Sequence, residues 1–165
     1  KVMLDIGSST GGFTDAALQH GAKLSYALDV GTNQLAWKLR QDSRVVVMEQ
    51  TNFRYCKPED FSKGRPNLSS IDVSFISLRL ILPVLKNIIA SGGDVLALIK
   101  PQFEAGKANI GKNGIVKNEK VHKTVCENIK ENALIYGLEC VKIIDSPIRG
   151  GDGNKEFLAL FRLNK

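Results

Sequence analysis

Short apolar runs alternate with segments of helical spacing along most of the chain. Seven runs rich in aliphatic and β-branched residues predict strands at residues 2–6, 24–30, 44–48, 68–75, 94–99, 140–145 and 156–163. Between them, apolar residues recur every three to four positions and predict helices at residues 13–19, 33–40, 78–90 and 119–136. Strands that alternate with helices indicate an α/β domain with a mostly parallel sheet.

The remaining stretches are polar and predict connections. The last two strands are joined by residues 146–154, without a helix, so we expect them to pair as an antiparallel hairpin. Residues 55–67 predict a surface connection with one helical turn at 58–61, and residues 105–118 predict a mobile basic loop that buries nothing. The pattern predicts a seven-stranded, mostly parallel sheet ending in an antiparallel hairpin.

The first strand leads into a glycine-rich turn and then a helix, the local geometry of a nucleotide- or cofactor-binding domain. The turn lacks both the dinucleotide spacing G-x-G-x-x-G and the Gly-Lys-Ser/Thr of a triphosphate loop. It suits a ligand with no phosphate chain, of which S-adenosylmethionine is the common one. An ordinary strand-turn-helix connection is the alternative. The residues predicted to contact the cofactor here are Asp5, Gly7, Ser8, Ser9, Thr10, Gly11, Gly12 and Phe13.

Acidic residues end the second and third predicted strands. Asp29 lies about 20 residues beyond the glycine turn, where α/β cofactor domains bind ribose hydroxyls, and Val30 follows it. A turn or helix-capping aspartate is the alternative for Asp29. Because the carboxyl ends of parallel strands share one crevice, Glu49 and Asn52 are expected to flank the adenine or ribose of the same cofactor.

Two ionisable residues occupy apolar surroundings at later strands. Asp72 lies within one predicted strand, and Lys100 ends another immediately before a proline. Charged side chains are seldom buried without a partner or a task, so we expect both at the ligand crevice. An ion pair that merely closes the strand ends is the alternative. Glu156, the first residue of the last predicted strand, would reach the same region if the hairpin loop wraps the site.

Composition and net charge indicate which partners and which kinds of site to expect. The 165 residues suit one domain, and 23 Lys and Arg against 17 Asp and Glu give a net charge of +6, which favours a polyanion such as RNA. Three widely spaced cysteines and two histidines match no zinc pattern, so we expect no metal and reduced thiols in a cytoplasmic protein. No apolar run reaches the roughly 20 residues of a membrane helix, and no signal peptide is recognised.

These motifs together resemble the hemolysin A family, a branch of the FtsJ-type RNA methyltransferases. The resemblance covers nearly the whole chain and is carried by four strings, LDIGSSTGGF at residues 4–13, IDVSFISL at 71–78, IKPQFE at 99–104 and GNKEFL at 153–158. It implies a Rossmann-like class I methyltransferase fold with helices on both faces of the sheet. It also implies methyl transfer from S-adenosylmethionine to a ribose 2′-hydroxyl of ribosomal RNA.

The family uses a Lys-Asp-Lys-Glu tetrad, and the resemblance assigns its last three members to Asp72, Lys100 and Glu156. Asp72 is also expected to contact the cofactor, and Lys107 and Lys112 to contact RNA phosphates. The first lysine of the tetrad, on a helix before the glycine turn, and the family's N-terminal RNA-binding domain have no match within these residues. We therefore expect residues 1–165 to be the methyltransferase domain of a longer protein.

Two other functions stay open at this point. The family name suggests a haemolytic or pore-forming protein. The sequence argues against this function, because it contains no membrane segment and no amphipathic hairpin of spanning length. A catalytically silent module that binds RNA or the cofactor is the second, because the first lysine of the tetrad has no match.

Overall fold

The computed structural model of the chain describes residues 1–150 and 153–165, apart from the side chain of Lys112. The strands are β1 (Val2–Ile6), β2 (Leu24–Leu28), β3 (Val45–Met48), β4 (Leu68–Ile71), β5 (Asp94–Ile99), β6 (Leu138–Asp145) and β7 (Phe157–Leu163). The α-helices are α1 (Gly12–Gln19), α2 (Trp37–Arg40), α3 (Leu78–Ile88), α4 (Pro101–Glu104) and α5 (Glu119–Ile135).

All seven strands form one sheet in the order β3-β2-β1-β4-β5-β7-β6. The first five strands pair in parallel. β7 inserts between β5 and β6 and runs antiparallel to both. The predicted fold class, strand number and antiparallel C-terminal pair are confirmed.

Helices cover both faces of this sheet. β1 is buried along its whole length, as expected of a central parallel strand. On β2, Tyr26 packs in the large cluster that includes α3, whereas its neighbour Ala27 packs with Leu18 of α1 and Leu39 of α2. Successive side chains of a strand point to opposite faces, so these two clusters lie on opposite sides of the sheet. The predicted helices on both faces are confirmed.

Element boundaries differ from prediction mainly at the carboxyl ends of strands. β4 ends at Ile71 rather than at residue 75, because the chain turns out of the sheet and Phe75 adopts a left-handed φ of 64°. The helix predicted from residue 33 begins only at Trp37, and α4 directly after β5 was not predicted. The helical turn predicted at residues 58–61 is present as a short 3-10 helix.

The segment 105–118 is better packed than the prediction that it buries nothing. It contains a short 3-10 helix at residues 107–109 and a turn at residues 112–114 in which Asn113 has a left-handed φ of 62°, and Val116 is only 2% exposed. The Val116 amide donates to Oδ1 of Asn154 at 2.9 Å, and Nδ2 of Asn154 donates to the Gly114 carbonyl at 3.0 Å. The prediction failed because a single valine and an asparagine 38 positions away anchor the segment. Such a contact leaves no periodic pattern.

Among the helices in residues 1–150 and 153–165, none combines the length and the apolar character needed to cross a membrane.

Candidate active site

The glycine turn after β1 lies between the carboxyl ends of β2 and β4, the two strands that flank β1. The amides of Gly7 and Ser8 both donate to the Leu28 carbonyl at the end of β2, each at 2.9 Å. Gly7 has a φ of 79°, and a Cβ at this position would lie 2.0 Å from the Asp72 carbonyl oxygen. Only glycine allows this approach, because any side chain would displace the chain that follows β4.

Asp29 is oriented by two backbone amides. Its Oδ2 accepts from the Ser9 amide at 2.7 Å and its Oδ1 from the Gly31 amide at 2.9 Å. A carboxylate offers about four lone-pair positions, so about two remain for a ligand. The structure thereby fixes a preoriented acceptor at the end of β2, next to the glycine turn.

A cavity of about 410 Å³, here called the first cavity, opens at this edge of the sheet. Six residues predicted to contact the cofactor line it, namely Gly7, Ser9, Asp29, Val30, Asn52 and Asp72. Lys100, predicted as a catalytic residue, also lines the cavity, and the wall includes side chains that were not predicted, among them Thr51, Phe53, Val73, Ser74, Phe75, Ile76 and Ile81. The cavity combines the carboxylates of Asp29 and Asp72, the ammonium of Lys100 and several hydroxyl or amide groups with an apolar wall, the usual make-up of a small-molecule site.

Asp5 does not reach this cavity, which corrects its prediction as a cofactor contact. Its side chain is fully buried, and Oδ2 accepts from the Thr14 amide at 3.1 Å and the Thr14 hydroxyl at 2.9 Å. Its Oδ1 accepts from the Ser70 hydroxyl at 3.1 Å. Burial raises the pKa of Asp5, and the hydrogen bonds from Thr14 and Ser70 oppose that rise. Asp5 therefore anchors α1 and β4 to β1.

Other predicted contacts also lie outside the lining of the first cavity. Glu49 accepts from the Asn33 amide at 3.1 Å and pairs with Arg40, which engages its carboxylate. A Cβ on Gly11 would lie 2.3 Å from Cδ1 of Leu39, so this glycine serves the packing of α2. The predicted residues of the turn that also do not line the cavity are Ser8, Thr10, Gly12 and Phe13.

Lys100 and Asp72 form an ion pair at the carboxyl ends of β5 and β4. Lys100 Nζ lies 2.6 Å from Oδ1 of Asp72 and donates to the Ser74 hydroxyl at 3.1 Å. The Lys100 side chain is only 12% exposed, so its ammonium is largely withdrawn from water. Asp72 and Ser74 together hold the Lys100 ammonium in one geometry, whereas the side chains of an exposed surface ion pair are mobile.

A second cavity, of about 420 Å³, adjoins the first. Asp72, Ser74, Phe75 and Lys100 line both cavities and thus form their common wall. Glu156 lines the second cavity and is 7% exposed, with Oε2 accepting from Nε2 of Gln102 at 2.9 Å. The structure therefore brings Asp72, Lys100 and Glu156 to one cavity, although they are far apart in the sequence.

An aromatic pair stands at the same wall. Phe75 is 90% exposed, and its ring centroid lies 5.0 Å from that of Phe103 at an angle of 54°. Phenylalanine is seldom both solvent-exposed and in a left-handed backbone conformation, as Phe75 is. Sequence reasoning missed both rings as site residues, although each lies within the strings that resemble the hemolysin A family.

The two lysines predicted to bind RNA are placed differently. Lys107 is exposed in a short 3-10 helix and does not line the second cavity, whereas Ile110 and Asn113 of the same segment do. The side chain of Lys112 lies outside what the structure describes. Within residues 1–150 and 153–165, no group of three or more His, Cys, Asp or Glu side chains is placed to hold a metal ion.

Comparison with known proteins identifies sequences and structures that are similar to this chain. The sequence model described as FtsJ-like methyltransferase matches residues 1–163. The Bacillus subtilis protein named "Putative rRNA methyltransferase YqxC" is 63% identical over 158 residues, which are 96% of this chain and 56% of that protein. The "16S/23S rRNA (cytidine-2'-O)-methyltransferase TlyA" of Mycobacterium tuberculosis is 42% identical over 159 residues, 96% of this chain and 59% of that protein.

A solved structure shows the same arrangement of elements. The protein named "Putative hemolysin" from Streptococcus thermophilus superimposes with a TM-score of 0.97 at 58% sequence identity, covering 99% of this chain and 59% of that one. The chain thus spans between half and two thirds of the length of these three proteins.

Proposed function

Because the chain belongs to the FtsJ-like methyltransferase family, we propose that it transfers a methyl group from S-adenosylmethionine to a ribose 2′-hydroxyl of ribosomal RNA. The observation that carries the proposal is the Lys100–Asp72 ion pair in the common wall of two cavities. One cavity suits the cofactor and the other the acceptor nucleotide. The relative TlyA, whose name specifies 2′-O-methylation of rRNA, supports the choice of acceptor.

The first cavity fits S-adenosylmethionine by size and by its donor set. Its volume of about 410 Å³ lies within the range of about 300–1,000 Å³ usual for small-molecule sites. We assign the ribose hydroxyls to the free lone pairs of Asp29 and the adenine to the apolar wall that includes Val30 and Phe53. When bound, the cofactor supplies a methyl group on a positively charged sulfur, which leaves alignment as the main task of the protein.

Lys100 is proposed to activate the acceptor hydroxyl. A ribose hydroxyl is a poor nucleophile and must lose its proton as it attacks. As the ammonium that pairs with Asp72, Lys100 Nζ would stabilise the developing alkoxide by its charge, and only the neutral amine, formed by loss of a proton to solvent, would take the hydroxyl proton. Glu156, held by Gln102, would orient the ribose from the other side of the second cavity.

The second cavity suits a single nucleotide drawn out of its stack. Unpaired bases in RNA are commonly held by stacking on aromatic side chains. Phe75, exposed and supported by Phe103, offers such a face beside Lys100 and Asp72. The net charge of +6 favours the approach of RNA, and Lys107 and Lys112 are proposed to contact its phosphates.

The test is single-turnover methylation of ribosomal subunits by the full-length protein, with direct titration of S-adenosylmethionine in parallel. Lys100→Ala should slow methyl transfer by about 10²-fold or more, while cofactor affinity changes by no more than a few-fold. Lys100→Arg retains the charge but cannot accept a proton at neutral pH, so it separates the two roles of Lys100. A fully active Lys100→Ala would refute the assignment, and a wild-type protein that binds cofactor and subunits without methylating them would be a silent binding module.

A further inference from the structure

We propose that Glu104 is a positioning residue for methyl transfer, because it joins the loop after β4 to α4, the short helix after β5, and so holds Phe75 and Lys100 in fixed relation. The inference rests on the proposed function. It concerns residues 72–77 and residues 100–104, which supply the common wall of the two cavities.

From the end of α4, the carboxylate of Glu104 reaches the start of α3, and both of its oxygens accept there. Oε2 accepts from the Ser77 hydroxyl at 2.6 Å, and Oε1 accepts from the Leu78 amide at 2.8 Å. Ser77 is the N-cap of α3, where its Oγ accepts from the Arg79 amide at 3.1 Å. The carboxylate of Glu104 thereby fixes the start of α3, directly after the turn that carries Phe75.

Contacts of Lys100 and Phe103 also connect these two segments. Lys100 Nζ bonds Asp72 and Ser74, and the ring of Phe103 packs against that of Phe75. The Glu104 contacts are the third link and the one at the far end from the ion pair. Held at both ends, the turn between Asp72 and Ser77 can keep Phe75 in its left-handed, exposed position.

An ordinary helix cap would not require this arrangement. A capping box places its acidic residue three positions after the N-cap, and that position in α3 is Leu80. The acid at this N-terminus instead comes from 27 positions beyond Ser77, across the active-site wall. Burial raises the pKa of Glu104, opposed by the bonds from Ser77 and Leu78. The position of Glu104 is explained by the link that it makes between α4 and the loop after β4.

The experiment is a double-mutant cycle on single-turnover methylation of ribosomal subunits by the full-length protein. Glu104→Ala should lower the rate at saturating RNA by about 10- to 100-fold, the scale of a small misplacement of reacting groups. If Glu104 acts through Phe75, the same change in a Phe75→Ala background should lower the rate by less than about twofold. The affinity for S-adenosylmethionine should stay within about twofold in every variant.

Two variants separate positioning from general stability. Glu104→Gln keeps a carbonyl for the Leu78 amide and can donate to the Ser77 hydroxyl, so it should retain the rate within a few-fold. Glu59→Ala removes an exposed carboxylate from the 3-10 helix at residues 58–61 and should leave the rate unchanged. All rates are compared well below the lowest Tm of the set, so that every variant is folded.

The outcomes are distinct. Additive effects of Glu104→Ala and Phe75→Ala, or an unchanged rate in Glu104→Ala, would overturn the positioning role. A wild-type protein that methylates no RNA would instead refute the proposed function itself. Loss of rate in Glu104→Ala that tracks a loss of cofactor affinity would assign Glu104 to the first cavity and also overturn the inference.

Discussion

Removal of the Asp29 carboxylate is the sharpest test of the first cavity, because it needs only the cofactor. In Asp29→Ala the lone pairs that face the cavity disappear, and the amides of Ser9 and Gly31 lose their common acceptor. The substitution should therefore loosen the backbone of the glycine turn and also remove the hydrogen bonds from Asp29 to the ligand. We expect weaker binding of S-adenosylmethionine and no loss of the overall fold.

The magnitude follows from the number of bonds. A hydrogen bond to a charged group contributes about 1.5–3 kcal/mol, and about 1.4 kcal/mol corresponds to a tenfold change in Kd. Loss of a single ribose bond to Asp29 should thus raise the Kd by about 10- to 150-fold. Asp29→Asn, which retains one carbonyl oxygen, should lie between the wild type and Asp29→Ala.

Isothermal titration calorimetry with S-adenosylmethionine measures this directly. Asp42→Ala is the matched control, since it removes the same charge from a carboxylate that pairs with Arg44 outside the first cavity. The control should bind like the wild type. Asp29→Ala binding within twofold of the wild type would refute the assignment, as would an equal loss in Asp42→Ala, which would trace the effect to net charge alone.

Three further predictions concern packing, pH and RNA. Gly11→Ala places a Cβ 2.3 Å from Cδ1 of Leu39 at a φ of 99° and should cost about 1–3 kcal/mol of stability, visible as a lower Tm. Because burial raises the pKa of Asp5 above its ordinary 3.8, the folded state holds that proton at pH values where the unfolded state has released it. The wild type should therefore lose stability relative to Asp5→Asn as the pH rises from about 4, measured by urea unfolding, and parallel curves would contradict this. Replacing Lys107 and Lys112 by Ala should flatten the salt dependence of RNA binding by roughly two phosphate equivalents, whereas an unchanged slope would leave the segment without a phosphate-binding role.

The fold was predictable because its signals are periodic. Apolar runs and helical spacing depend on burial against one sheet, and they located all seven strands. The positions of β6 and β7 required more than periodicity, since a hairpin on the edge and a strand inserted beside β5 have the same sequence pattern. The predicted antiparallel pairing was right, and the insertion of β7 beside β5 is seen only in the structure.

Residues of the candidate site were predictable where their type is rare in its context and were missed where their type is one that usually packs in a core. A lysine and an aspartate in apolar strands pointed to Lys100 and Asp72 before any geometry was known. Asp5 gave the same signal, yet its partners Thr14 and Ser70 make it a structural carboxylate. Sequence alone cannot separate the two cases, because both are charged groups in a strand and only the neighbours differ.

Phe75 and Phe103 illustrate the opposite error. Aromatic residues near strand ends are usually core, and nothing in their spacing indicates that one is 90% exposed on a left-handed turn. Phe75 contacts Phe103, and Ser74 and Ser77 of the same turn bond Lys100 and Glu104, partners that are distant in the sequence and leave no local pattern.

The insertion of β7 between β5 and β6 also sets the order in which the protein can assemble during synthesis. β1 to β5 can form their parallel sheet from residues already made, but the edge of β5 stays unpaired until residues 157–163 leave the ribosome. Glu156 immediately precedes this strand, so the second cavity is completed only when the last strand docks. An unfinished chain would carry the first cavity and an open, aggregation-prone strand edge without a complete acceptor site. The topology thus delays assembly of the acceptor site until nearly all of this domain has been translated.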